Sequence, residues 1–277
     1  WLKYDPLCCQ ATPHRQKIAS SMAVSVLESP VLADVLLEDT WEGSDIMEEC
    51  ARRGIPCQEL TVDALAKYDP TMFVQHTFMC NTEIVQKHLR SAGLAYKVPD
   101  TYPAELESLL QRRIEHRKLH KVAEGDLPLF IKPTSNDKAF DGVVVRDAEH
   151  LQSIRDDARS ADDVEVYISE TVTFLVEYRL FLGGGKIYGM GEHYLRDGDR
   201  SAGVPAVNFV QEVLACVGDA FMAVDVGLMT KDGQCEVCEA VWAVVEVNPP
   251  FALDDCGLAI EPYVQFCADA CAYVRRP

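Results

Sequence analysis

Hydrophobic and polar positions change period part-way along the chain, and the change separates two halves of different character. In the first half, helical and extended stretches alternate. Residues 44–53 read as a helix ended by Gly54, Cys57 to Val62 as a strand and Met72 to Gln75 as another. Asn81 then reads as the cap of a helix running through Ala92 and closed by Gly93. Strands and helices alternating at these lengths predict a small parallel α/β domain. Tyr102-Pro103 opens what reads as a long helix, Ala104 to Val122, with basic residues crowding its later turns. That density suits a solvated face, although Arg112 or Arg113 could face an anion.

Strands dominate the second half. Leu127 to Pro133 reads as a strand, Thr134 to Gly142 as a polar loop, Val143 to Arg146 as a strand and Asp147 to Ser160 as a helix. Val164 to Ser169, Leu175 to Leu182 and Lys186 to Tyr194 follow as strands. Gly183-Gly184-Gly185 lies between two of them and is a hairpin signal, not a phosphate loop. Pro205 to Cys216 reads as a helix, strands around Asp225 and Glu246 come next, and Ile260 to Val274 closes the chain as a helix.

Chemistry enters where the apolar runs are interrupted. In Val244-Val245-Glu246-Val247-Asn248 the pleat sends Glu246 and Asn248 to one face and the valines to the other. Phe221-Met222-Ala223-Val224-Asp225-Val226-Gly227 repeats the device with one carboxylate. Each acid alone is equally an edge-strand residue facing water. Held about 4 Å apart at an effective dielectric of about 20, two carboxylates repel by roughly 4 kcal/mol, and a cation between them removes that penalty. Their hard oxygens favour magnesium over zinc, and magnesium held by few protein groups usually carries phosphate.

The phosphate-handling candidate is Leu129-Phe130-Ile131-Lys132-Pro133 with its loop through Lys138 to Gly142. An ammonium at the end of a buried strand seeks an anion or snorkels to water. Between the two constellations lie Glu170 and Glu177, seven apart. One unbroken strand would send them to opposite faces, so a shared site needs a kink at Thr171-Val172-Thr173. Glu177 and Arg179, two apart, share a face.

Composition narrows the function classes. A net charge of -18 repels nucleic acid and anionic membranes. No apolar run approaches the length of a membrane span, and Glu28 breaks the stretch after Met22, so a secretory signal is not supported. The eleven cysteines are odd in number and scattered, which reads as free thiols and makes the cytosol the default compartment. Cys235-Glu236-Val237-Cys238 lacks two further ligands for a structural zinc. Cys267 and Cys271, one helical turn apart, read as small buried side chains. Residues 1–21 carry no usable motif and read as an uncertain leader or extension.

The order of lysine loop, paired glutamates, aspartate, then Glu-x-Asn resembles the ATP-grasp ligases. The pattern here is IKPTSNDKAFDG, SETVTFLVEYR, AVDVG and VEVNPP, and it looks closest to the R-two-K clade of ATP-grasp proteins. The resemblance implies an α/β fold of α+β lobes, an ATP-grasp fold behind an N-terminal pre-ATP-grasp α/β domain. Its boundaries would be 22–103 for the first domain and 104–277 for the second, with lobes of about 104–169 and 170–277. It implies ATP between the lobes, adenine near Ser169 to Val172 with Glu170, Thr171 and Val172 beside it, and Glu177 on the ribose. Lys132 and Lys138 would neutralise the phosphates, and Asp225, Glu246 and Asn248 would hold Mg2+. Lys138 and Arg179 would act in catalysis, Arg179 on a developing acyl phosphate.

The implied reaction joins a small-molecule or peptide carboxylate to an amine, with no nucleic acid or membrane as partner. The chain departs from the pattern in three places. Ala223 stands where many members carry an arginine two residues before the aspartate; either Arg179, Arg196 or the basic helix supplies that charge, or phosphoryl transfer is impaired. The link from Asp225 to Glu246 is long and implies a hairpin around Asp232-Gly233. Arg113 is the candidate for an upstream nucleotide lysine.

Overall fold

The computed structural model describes residues 35–39, 43–134, 140–157, 164–195, 203–231, 240–251 and 253–276. Residues 1–34, Lys138, Arg196, the Asp232-Gly233 turn and Cys235-Glu236-Val237-Cys238 lie outside them. The chain forms two compact units: Ile114–Thr171 makes up one, and residues 35–113 together with 172–276 make up the other. The smaller unit is thus inserted into the larger.

The larger unit starts with β1 (Val35–Glu38), α1 (Gly43–Arg53), β2 (Cys57–Leu60), α2 (Val62–Ala66), α3 (Pro70–Phe73), β3 (Thr77–Met79) and α4 (Thr82–Ser91). The three strands form a parallel sheet in the order β2-β1-β3, the parallel arrangement that the alternating pattern implied. Met72 to Gln75 is not a strand. Asp69 caps Thr71 N and Met72 N, Pro70 occupies the first turn, and α3 forms there, leaving the strand to Thr77–Met79. Asn81 caps α4 through Glu83 N, 2.8 Å away.

The long helix over Ala104 to Val122 is also absent. A 3-10 turn covers Ala104–Leu109, Gln111 adopts a left-handed φ of 54°, and Ile114–Lys118 is a strand, β4. A helix cannot run through a residue in that conformation. The Arg112 side chain explains the break. It donates to the carbonyls of Val244 and Val245 at 2.7 Å each, a tertiary anchor that a continuing helix would remove.

From β4 the smaller unit continues through β5 (Leu129–Pro133), β6 (Val143–Val145), α5 (Ala148–Asp157) and β7 (Glu165–Ser169). Its antiparallel sheet has the order β4-β7-β5-β6. Ile131, Val145, Val166 and Ile168 turn to one face and are buried with Leu119, Leu151 and Ile154 of the same core. The alternate residues Lys132, Tyr167 and His116 lie across from one another on the opposite face.

The chain then returns to the larger unit with β8 (Val172–Gly183), β9 (Lys186–Leu195), α6 (Val207–Val217), β10 (Met222–Lys231), β11 (Val241–Asn248) and α7 (Ile260–Val274). These strands form an antiparallel sheet of order β11-β10-β8-β9, with the triple glycine turning β8 into β9. The α7 helix packs against β3, β8, β9 and α1, so the parallel and antiparallel sheets share one core. Phe266 of α7 is surrounded by Phe181, Tyr188 and Phe221, with ring centroids 5.3 to 6.1 Å apart. Cys271 sits against β3, accepting from Phe78 N at 3.3 Å, and both it and Cys267 are buried.

Candidate active site

The antiparallel sheet of the larger unit brings three functional side chains into register. Across β11, β10, β8 and β9, Glu246 pairs with Asp225, Asp225 with Arg179, and Arg179 with Gly191. Paired residues in adjacent strands point to the same face, so Glu246, Asp225 and Arg179 form a lateral row. The register shifts between Asp225 and Val226, leaving Val245 as an extra residue in β11. Arg112 is bonded to the carbonyls at that bulge and so fixes where Glu246 stands.

Asp225 and Arg179 are buried and form a two-pronged ion pair, Nε to Oδ1 at 2.8 Å and Nη2 to Oδ2 at 2.9 Å. Asn248 Nδ2 donates to the same Oδ2 at 2.9 Å. Burial pulls against the charge on Arg179, and the neighbouring Asp225 more than reverses this, raising the guanidinium above its ordinary range. Ala223, fully buried opposite Asn248 and Phe181, has no charge to contribute. The cation beside Asp225 comes from Arg179, one strand over.

Glu177 lies two residues from Arg179 on the same face of β8 and pairs with Gly227. Burial pushes its carboxyl up to about 7, and the charges of Asp225 and Glu246 add to the rise. Burial also draws the Arg112 guanidinium below its ordinary value, against the pull of Tyr102, Glu177 and Glu246. With Glu177 ionised, this sheet face carries three carboxylates against the guanidiniums of Arg179 and Arg112.

That excess is the test for a divalent cation. Among the described residues no cluster of three His, Cys, Asp or Glu side chains is arranged to hold a metal. Asp225, Glu246 and Asn248 instead offer two carboxylates and a carboxamide. Such a sparse set of hard oxygens suits magnesium that takes its remaining ligands from water and phosphate. The residues fit that ion in the chemistry of their oxygens.

Beyond Arg179, the row ends at a glycine for a steric reason. A Cβ on Gly191 would lie 2.5 Å from the Cys256 carbonyl oxygen and 2.7 Å from that of Asp255. The loop before α7 therefore rests directly on the β9 backbone, on the Arg179 face. There Cys256 Sγ lies 3.3 Å from His193 Nδ1 and 3.6 Å from the Asp254 carbonyl oxygen. His193 stands at the register shift of β9 opposite Glu177 and Tyr178.

In the smaller unit Lys132 pairs with Tyr167, which in turn pairs with His116 of β4. His116 Nε2 is 3.2 Å from Glu165 Oε2, and its ring is 5.7 Å from that of Tyr167. Gly142 is pressed against Phe130, since a Cβ there would meet the ring at 2.9 Å. The strand carrying Lys132 turns Leu129 and Ile131 to the core, and Phe130 shares the opposite face with Lys132. β7 stops at Ser169 and β8 starts at Val172, so the ladder breaks at Glu170 and Thr171, while Val172 and Thr173 of the expected kink lie within β8. Glu170 is exposed, Thr171 ends the smaller unit, and Val172 begins the larger.

A family model for the ATP-grasp domain, R-two-K clade family 2, matches residues 109–266. The chain belongs to this family. No curated protein matches the sequence. Among solved structures, this chain resembles a RimK domain protein ATP-grasp from Sphaerobacter thermophilus at 14% identity and a TM-score of 0.48, over 88% of this chain and 100% of that one. It also resembles a D-alanine--D-alanine ligase from Bacillus anthracis complexed with ATP, at 16% identity and a TM-score of 0.46, over 89% and 99%. The ATP-grasp ligase PsnB complexed with a minimal precursor gives 13%, 0.48, 88% and 98%. At such TM-scores these likenesses decide nothing about the reaction.

Within this ATP-grasp domain of the R-two-K clade the structure brings Asp225, Glu246, Asn248, Arg179 and Glu177 to one sheet face. Lys132, Glu170 and Thr171 belong to the smaller unit. Sequence reasoning missed His193 and Cys256 and did not foresee the Arg112 anchor. The alternation Gly189-x-Gly191 in β9 is the signal that could have pointed to the first two, because glycines on one strand face mark a close backbone approach.

Proposed function

We propose that this ATP-grasp protein is an ATP- and magnesium-dependent carboxylate-amine ligase of the cytosol, acting on a small acid, an amino acid or a peptide. The observation that carries the reading is the Glu246, Asp225, Arg179 row. Its two carboxylates to one guanidinium leave a charge that a cation would balance, and the guanidinium, already paired with Asp225, lies beside them. Magnesium held by Asp225, Glu246 and Asn248 would bridge and neutralise the phosphates of ATP. Lys132 and Lys138 add positive charge for the same phosphates, Glu170, Thr171 and Val172 receive the adenine, and Glu177 receives the ribose.

In this reading Arg179 opposes the charge that builds on the transferring phosphoryl group as the carboxylate attacks. The acyl phosphate so formed reacts with the amine and releases phosphate. Among the described residues no helix is long and apolar enough to cross a membrane. Cys50, Cys57, Cys80, Cys216, Cys256, Cys267 and Cys271 are free thiols, which fits a substrate handled in a reducing compartment.

A second reading is an ATP-binding module without turnover, which Ala223 favours, since this chain lacks the arginine at that position. A phosphotransferase of the same fold would release ADP without forming an amide. The test combines a thermal shift with ATP and magnesium and an acceptor-dependent ADP assay. The ligase is expected to be stabilised by ATP and magnesium together, to release ADP only with an acid, and to lose turnover in Glu246→Ala. Stabilisation with no ADP release from any acid would leave the binding module standing instead.

A further inference from the structure

We propose that His193 is the base that accepts the proton of the attacking amine, held in the required tautomer by Cys256. The inference rests on the ligase reading and extends it to the second half of the reaction. Cys256 Sγ lies within hydrogen-bond reach of two groups, His193 Nδ1 at 3.3 Å and the Asp254 carbonyl oxygen at 3.6 Å. In the proposed arrangement the thiol donates to the Asp254 carbonyl oxygen, which can only accept. The sulfur is then the acceptor, and His193 Nδ1 carries the ring proton it receives. That leaves the lone pair on Nε2, the tautomer a general base needs.

Placement favours the same role. Arg179 stands in the middle of the sheet row, with the metal-binding candidates Asp225 and Glu246 on one flank and Gly191 on the other. Only the glycine lets the Asp254–Gly257 stretch settle on that face, and Cys256 meets His193 there. A carboxyl group activated beside Arg179 thus has cation ligands on one side and an imidazole on the other. Burial lowers the pKa of His193, with Arg179 acting in the same direction and Asp225, Asp254 and Glu246 opposing it. The ring is accordingly neutral at physiological pH.

The chemistry balances without a further reactant. The amine nitrogen attacks the acyl carbon and a C–N bond forms. The C–O bond to phosphate breaks, phosphate leaves with the electron pair, and the proton shed by nitrogen passes to His193 Nε2. Cys256 is a positioning residue and forms no bond to the substrate.

The test separates the two half-reactions. The full chain is given ATP, magnesium and pooled N-acetyl amino acids as acids, with either pooled amino acid amides or hydroxylamine as the nitrogen nucleophile. Hydroxylamine is reactive enough to capture an acyl phosphate with little help from a base. His193→Gln is expected to lower amide formation by about a hundredfold or more, and hydroxamate formation by less than about tenfold. Cys256→Ser, which keeps a donor and an acceptor, is expected to retain more amide formation than Cys256→Ala. Equal losses of amide and hydroxamate in His193→Gln, or no loss of either, would overturn the role assigned to His193. Absence of ADP release from the unmodified chain with every acid would overturn the ligase reading, and this inference with it.

Discussion

The two units hold their charged residues in opposite ways. In the larger unit Asp225 and Arg179 are buried, matched oxygen for nitrogen, and flanked by Glu177, Glu246 and Arg112. In the smaller unit Lys132 stands on the sheet face turned away from the core, half-buried beside Tyr167, while Ile131 and Val166 fill the interior. Charges desolvated inside a sheet support the fold as well as the chemistry, and removing one leaves its partner stranded. A charge on an open face can serve chemistry alone.

The sharpest test of that contrast is Arg179→Met. It leaves Asp225 buried with Asn248 as its remaining side-chain hydrogen-bond partner among the described residues, and should cost about 3–5 kcal/mol of stability, read from denaturant unfolding. A loss under about 1 kcal/mol would mean that the row is wetter than the packing shows.

The next largest effect is on Glu177, through pH. Its folded-state pKa of about 7 lies above the ordinary value of 4.5, so the folded protein holds the proton more tightly than the unfolded chain does. Above about pH 7 both states are ionised and the fold bears the full penalty of the buried charge. As pH falls through 7 toward 4.5 that penalty disappears. The shift corresponds to roughly 3 kcal/mol. Glu177→Gln should therefore be more stable than the unmodified protein at pH 8, with the difference shrinking by pH 5. Parallel unfolding midpoints for the two proteins across that range would show it, and a constant difference would count against the buried, crowded carboxyl.

At the small end stands Lys132→Ala. On the open face it should change stability by less than about 1 kcal/mol while abolishing ATP-dependent turnover. Loss of the fold along with activity would erase the contrast between the units.

The strands carrying Asp225 and Glu246 are legible in the sequence because valines alternate with the acids, and a period of two survives any tertiary context. The odd spacing of Glu170 and Glu177 pointed to a break at Thr171-Val172-Thr173, and the ladder is interrupted just before it, at Glu170-Thr171. The basic segment after Tyr102 is not. It contains residues that favour helix, and only the distant carbonyls of Val244 and Val245, drawing in Arg112 behind a left-handed Gln111, forbid one. Met72 to Gln75 is a different failure. The Asp69-Pro70 helix start was present in the sequence and outweighs the apolar run that follows it. His193 and Cys256 are 63 positions apart and meet because a loop settles on bare backbone, a contact of which Gly189-x-Gly191 is the local trace and which does not name the partner.

That bare patch of backbone also sets how the site can change. At position 191 even a methyl group collides with two carbonyl oxygens, and these belong to main chain that cannot swing aside as a side chain would. Gly191→Ala must therefore lift the loop and carry Cys256 away from the imidazole, although residue 191 touches no reacting atom. In a library randomised at both places, position 193 should accept several side chains that fold, whereas position 191 should return glycine almost alone.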